Sequence, residues 1–205
     1  MLRAAEKLFA EKGLANVSVR AIVAEAGQKN ESALQYHFGN RDGLIAALHQ
    51  QRNAQIQVER GRVMDQMLEA RDALTLRDIA IVMIRPAFQL AGGDSGFRDY
   101  MKTFAHLVLL SGHKLTTVLL RNEDTSAREI RERFKAALPH LHDNLFELRF
   151  ESAARFATLS MSGHAGEKGA FRGRAAEFFF SNLVDMIAAM MATEASPQTL
   201  ALLPG

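Results

Sequence analysis

Cysteine is absent from the 205-residue chain, which excludes disulfides, thiolate zinc sites and cysteine nucleophiles. The absence suits a reducing cytoplasm, the expected setting. Long apolar runs are missing too. No uninterrupted stretch approaches the ~20 residues of a membrane helix. Residues 1–30 are broken by charge every few positions, unlike the apolar core of a secretion signal. Strand signals are scarce, since no alternating β-branched runs occur. There is no glycine-rich phosphate loop, and no nucleophile, base and orienting partner stand at usable spacing. An enzyme is not expected. His140 and His142 are spaced i,i+2, which on a helix sends them to different sides. No metal and no cofactor is expected.

What is present is ordinary globular material. The chain is 48% apolar and 23% charged, with 25 Lys+Arg against 23 Asp+Glu, neither disordered nor collagen-like and long enough for a sizeable core. Helical periodicity recurs, as in Leu2, Ala5 and Phe9 and again in Leu141, Leu145, Leu148 and Phe156. The pattern predicts helices over 2–12, 18–25, 30–37, 41–59, 62–71, 75–91, 97–121, 126–136, 139–162 and 173–193. Gly13 and Gly27 fall where helices end, and Ser18 is placed to cap the second. Residues 92–96 read as a flexible turn, 163–173 as a loop, and Pro139 as a first-turn proline. The expected fold is all-α.

Three short N-terminal helices separated by tight turns bury a core only if they pack crosswise. The 18–25 and 30–37 helices have the spacing of a helix-turn-helix. Leu2, Ala5, Leu8, Phe9, Val19, Ile22, Val23, Ala33, Leu34 and Phe38 can close one small core. Lys29, Asn30, Glu31, Ser32 and Gln35 are then left on a polar face able to meet base edges. The same segment carries the charge surplus. Residues 1–52 hold seven basic and five acidic side chains, and the remainder holds eighteen of each. Spacing alone equally fits a helical hairpin in any α-bundle.

The stretch Leu2-Arg3-Ala4-Ala5-Glu6-Lys7-Leu8-Phe9-Ala10-Glu11-Lys12-Gly13 resembles the opening helix of the tetracycline-repressor (TetR) family. Residues Val17 to Gly27 are similar to its second helix. Tyr36-His37-Phe38-Gly39-Asn40-Arg41-Asp42-Gly43-Leu44 resembles the signature that ends its recognition helix. Two departures stand out. One extra residue separates Ala26-Gly27 from Tyr36-His37-Phe38, and Arg41 stands where lysine is usual. The resemblance implies a DNA-binding domain over 1–48 and a helical effector-binding and dimerisation domain over 49–205. It implies that Tyr36, His37 and Arg41 contact phosphate or sugar, with Ser18 offering a helix N-terminus. Lys29, Asn30, Ser32 and Gln35 become candidates for base edges. The residues themselves also allow Tyr36 as a core side chain and Asn30 as a helix cap.

Beyond residue 60 the helices are rich in large apolar residues with Arg85, Tyr100, His106 and His113 embedded among them. Nine methionines favour an adaptable interior. Pro86 and Gly112 are expected to kink their helices and open a pocket. Met64, Met83, Phe88, Met101 and Phe104 would line it for an apolar or amphipathic effector, with Arg85, Tyr100 or His113 holding a polar end. An ordinary packed core remains the alternative. On the last two long helices, Phe146, Phe150, Phe179, Phe180, Leu183 and Ile187 mark a candidate dimer face, because three adjacent phenylalanines cannot all face one core. The expected protein is a homodimeric, ligand-responsive repressor of a palindromic operator in double-stranded DNA. A helical small-molecule carrier without DNA binding is the alternative.

Overall fold

The computed structural model describes residues 1–110 and 125–204, and every described element is helical. In chain order these are α1 (Leu2–Lys12), a single 3-10 turn (Leu14–Asn16), α2 (Val19–Glu25), α3 (Ser32–Phe38), α4 (Arg41–Ala70), α5 (Leu76–Gly93), α6 (Ser95–Leu110), α7 (Thr125–Ala137), α8 (Asp143–His164), α9 (Gly173–Ala192) and α10 (Pro197–Leu200). The chain is all-α as its periodicity predicts.

Local chemistry sets most boundaries. The Ser18 hydroxyl accepts the Ala21 N–H at 3.2 Å and starts α2, and Gly27 follows its end at φ 69°. Thr75 and Asp78 form a reciprocal capping box at the start of α5. The Asp78 carboxyl is pushed up by burial, but Thr75 and Arg71 outweigh this and hold it below the usual carboxylate range.

Several expected breaks are not there. The helices expected at 41–59 and 62–71 are one continuous helix, α4, of 30 residues. An internal glycine costs about 1 kcal/mol, too little to end a helix held on both sides. Helix α4 is held by packing on α5 and α7, with Val63 and Met64 buried just past Gly61. The expected flexible turn at 92–96 is a sharp corner, with Asp94 alone between α5 and α6. Pro139 lies in a turn before α8 rather than in its first turn, and the His142 ring nitrogen caps that helix instead. Helix α3 begins at Ser32 because the Asn30 side chain, accepting from Ser32 N and Oγ at 2.9 Å each, folds the preceding residues into a turn. The stretch expected to continue helix 97–121 past Leu110, with Gly112 and His113, lies outside the described residues.

Two apolar clusters result. The smaller joins α1, α2, α3 and the first turns of α4; the larger runs from Leu48 through α5, α6, α7, α8 and α9. Helix α4 belongs to both, and α1 also packs along α6.

Candidate nucleic-acid interface

The head formed by α1 to α3 is closed by Leu8, Phe9, Ile22, Val23, Leu34 and Leu44, each at most 5% exposed. Leu34 is the one fully buried side chain of α3. Phe38 packs beside it, partly buried, and the polar side chains of this seven-residue helix turn outward. Lys29, Asn30, Ser32, Gln35, Tyr36 and His37 are all exposed, and Tyr36 is 86% exposed. A core role for Tyr36 is thereby excluded. Its ring meets the edge of His37 at 5.0 Å, so two aromatic polar groups share the outer end of α3. Asn30 is tied up in the turn before α3, where its side-chain oxygen accepts from the Ser32 N–H and hydroxyl. Lys29 and Gln35 therefore present the side chains of this face that are not committed to the turn's own bonds.

The angle between α3 and α4 is fixed by Gly43. The Asn40 side chain accepts the Gly43 N–H at 2.8 Å and caps α4. A Cβ at residue 43 would lie 1.9 Å from the Phe38 carbonyl oxygen. Only glycine lets the first turn of α4 pass so close to the end of α3. Arg41 departs from expectation. Its guanidinium donates to the Leu14 carbonyl and lies 5.6 Å from the Phe9 ring centroid. It is turned into the head rather than toward a phosphate, because the 3-10 turn offers it a carbonyl lacking a helical partner.

A buried ionic cluster joins this head to the rest. Arg52 on α4 donates from Nε to Glu6 Oε1 at 2.5 Å and from Nη2 to Glu6 Oε2 at 2.8 Å. Its Nη1 donates to Asp94 Oδ2 at 2.8 Å and to Gln55 at 2.9 Å. Glu6 is 2% exposed and Arg52 8% by side chain. Arg3 reaches Asp99 at 3.1 Å and Glu6 at 3.5 Å. Burial pushes the Asp94 carboxyl up, yet Arg52 and the Gly96 N–H outweigh it and hold the group below its usual range. Charge counting alone misses this cluster. Its signal was helical register, since Glu6 falls on the stripe of Leu2 and Phe9 and Arg52 on that of Leu44 and Leu48.

Residues 1–48 match the model of the tetR family of bacterial regulatory proteins, and residues 82–202 match that of the tetracyclin repressor-like C-terminal domain. The chain is a member of the TetR family. Its fold is similar to the crystal structure of a TetR-family transcriptional regulator from Rhodococcus sp. The TM-score is 0.65 at 17% identity, over 93% of this chain and 96% of that one. A transcriptional regulator from Rhodococcus sp. Rha1 is similar at TM-score 0.53 and 20% identity, over 93% of each chain. No curated protein matches the chain. As a TetR-family protein it is a DNA-binding transcriptional regulator. The family's members are generally non-enzymatic, and typically act as dimers with small-molecule effectors.

In this TetR-family chain the expected effector residues divide between two places. On the α4–α6 side, the Tyr100 hydroxyl meets His49 Nδ1 at 2.8 Å in the interior, and the His49 ring stacks on Phe104 at 4.8 Å. Burial pushes the Tyr100 hydroxyl far up, so it stays protonated. Met64 and Met101 are buried in the same core, and Met83 is partly buried against it. On the α5–α9 side, Phe88 packs against Phe171 and Phe180. Arg85 lies with that second group. Its guanidinium sits 3.7 Å from the Phe180 ring centroid and 3.2 Å from Glu177. Its ring and carboxylate partners come from α9 rather than from the Met101 and Phe104 side. His113 lies outside the described residues.

The expected dimer face is corrected as well. Phe146, Phe180, Leu183 and Ile187 are 0–2% exposed inside the single chain, packed in its own core. Phe150 and Phe179 are half-buried, Phe150 between Phe134 and Phe146 and Phe179 on the His164 ring at 4.0 Å. The phenylalanine left out is Phe178, at 76% exposure, with Leu148 at 63% and Met186 at 38%. Helix α9 is long and apolar enough to cross a membrane, yet its buried stripe packs on α5 and α8.

Proposed function

We propose that this TetR-family regulator is a cytoplasmic homodimeric repressor that binds a palindromic operator and releases it when a small molecule binds the C-terminal domain. The observation carrying this reading is the outward end of α3. Gln35, Tyr36 and His37 stand exposed on a helix seated in the head core by Leu34 and, at its end, Phe38. In a major groove, Gln35 and Lys29 would meet base edges, while Tyr36 and His37 would fix register on the backbone. Two such heads need a spacing of about 34–36 Å, one duplex turn. The exposed large apolar side chains Leu148, Phe178 and Met186 on these two helices support pairing through α8 and α9.

The effector is apolar or amphipathic on this reading. It would enter between α4, α5 and α6, where Met64, Met83, Met101 and Phe104 can repack and the Tyr100–His49 pair offers a buried polar contact. A compound binding a conformer with another head spacing depletes the DNA-bound form by its differential affinity.

Enrichment of random duplexes, followed by titration on the selected site at two salt concentrations, tests the first half. A symmetric site is expected, with log Kd rising linearly in log salt. Binding to no duplex overturns the reading and leaves the carrier. A thermal-shift screen tests the second half, because any releasing ligand must raise the melting temperature of the free protein.

A further inference from the structure

We infer that Arg52 is the joint that holds the reading head at one fixed angle on the body, through a cation shared between carboxylates of the two parts. Glu6 comes from α1 in the head, and Asp94 from the corner between α5 and α6 in the body. Arg52 binds Glu6 with both arms of its fork and reaches Asp94 with the remaining nitrogen. The Phe97 ring, 1% exposed, lies 5.5 Å from the guanidinium carbon and limits water on that side.

Such an arrangement is close to all-or-none. A buried ion that loses one partner is left with an uncompensated charge, so intermediate tilts that stretch the cluster are disfavoured. A guanidinium fork also fixes direction, where an ammonium would let the partners swing. Arg3 adds a parallel tie from the same helix to Asp99 on α6. The corner is shaped to admit both cations. A Cβ at Gly96 would lie 2.6 Å from Arg3 Nη1 and 2.8 Å from Arg52 Nη2. Arg3 is half-exposed and can retreat, whereas Arg52 is held by its two carboxylates. The joint thus acts on DNA recognition through head orientation, a role that rests on the proposed function only for its DNA-binding consequence.

Asp94→Asn tests it, because this half-exposed side chain can still cap Gly96 while losing its charge. Gly96→Ala is the second variant, adding a methyl and altering no charge. Amide hydrogen exchange of the full chain without DNA should rise at least tenfold in α1 and α2 in both variants, with α5 and α9 unchanged. On a selected operator both should bind more weakly with the salt slope of the parent, since no phosphate contact is removed. Unchanged exchange in α1 and α2 overturns the inference, and so does an equal rise in α5 and α9. A changed salt slope overturns it as well. If the parent protein binds no DNA, the proposed function fails while the exchange measurement still decides the joint.

Discussion

Two glycines on the same helix should respond to the same substitution with opposite signs. Gly43 and Gly61 both lie in α4. Helix propensity favours alanine over glycine by about 1 kcal/mol at an interior position, so propensity alone makes both substitutions stabilising. Gly61 has open space where its Cβ would go. Gly61→Ala should therefore gain about 1 kcal/mol, roughly 2–4 °C in Tm for a chain of this size. At Gly43 the new carbon would sit 1.9 Å from the Phe38 carbonyl oxygen, and that oxygen is backbone. Ordinary contact needs a retreat of roughly 1.5 Å, which α3 can make only by tilting on Leu34. Overpacking of this kind costs about 1–3 kcal/mol or more, exceeding the propensity gain. Gly43→Ala should lower Tm and weaken operator binding together. Urea or thermal unfolding at one fixed protein concentration, with fluorescence anisotropy on the operator, reads both effects. If Gly43→Ala stabilises as much as Gly61→Ala, the close approach of α3 to α4 is not what fixes the head.

Arg41→Ala should cost the head about 1–3 kcal/mol through its lost bond to the Leu14 carbonyl and leave the salt slope for DNA unchanged, measured by titration at several ionic strengths. Phe178→Glu should sediment as a folded monomer, whereas Phe180→Glu, at a position 2% exposed, should fail to fold by circular dichroism. Asp78 and Asp94 are both held below the usual carboxylate range, so their contribution is present above their unfolded value and lost as pH falls through the folded one. Stability should decline below about pH 4, and less steeply in Asp94→Asn; parallel acid-unfolding curves for the two proteins would contradict this.

The fold class was legible because helical signals are local. Ser18, Gly27 and the spacing of Leu8, Phe9, Ile22 and Val23 act within a turn or two of where they stand. The outward placement of Gln35 could be read for the same reason, once Leu34 was assigned to the core, whereas Tyr36 stood open between core and surface until the structure exposed it. Choices made by distant partners could not be read. Gly61 looks like a break until the packing of α4 as a whole on α5 and α7 carries the helix through it. Arg41 looks like a phosphate ligand until Leu14, 27 residues away, presents a carbonyl. Phe178, Phe179 and Phe180 say that one ring is left out, and only the position of α5 decides which. Glu6 and Arg52 are 46 residues apart, and neither alone announces a pair.

The brevity of α3 limits how much sequence a head can discriminate. Its seven residues rise about 10 Å along the helix axis, the length of roughly three base-pair steps. Two heads would then inspect about six base pairs directly, a pattern that recurs by chance once in about 4,000. A bacterial chromosome offers millions of competing positions, so direct contacts leave on the order of a thousand false addresses. The missing information has to come from elsewhere in the duplex. Half-site separation, groove width and the stiffness of untouched base pairs between the heads are the available sources. Operators of such a protein should therefore share their spacers as strictly as their contacted bases.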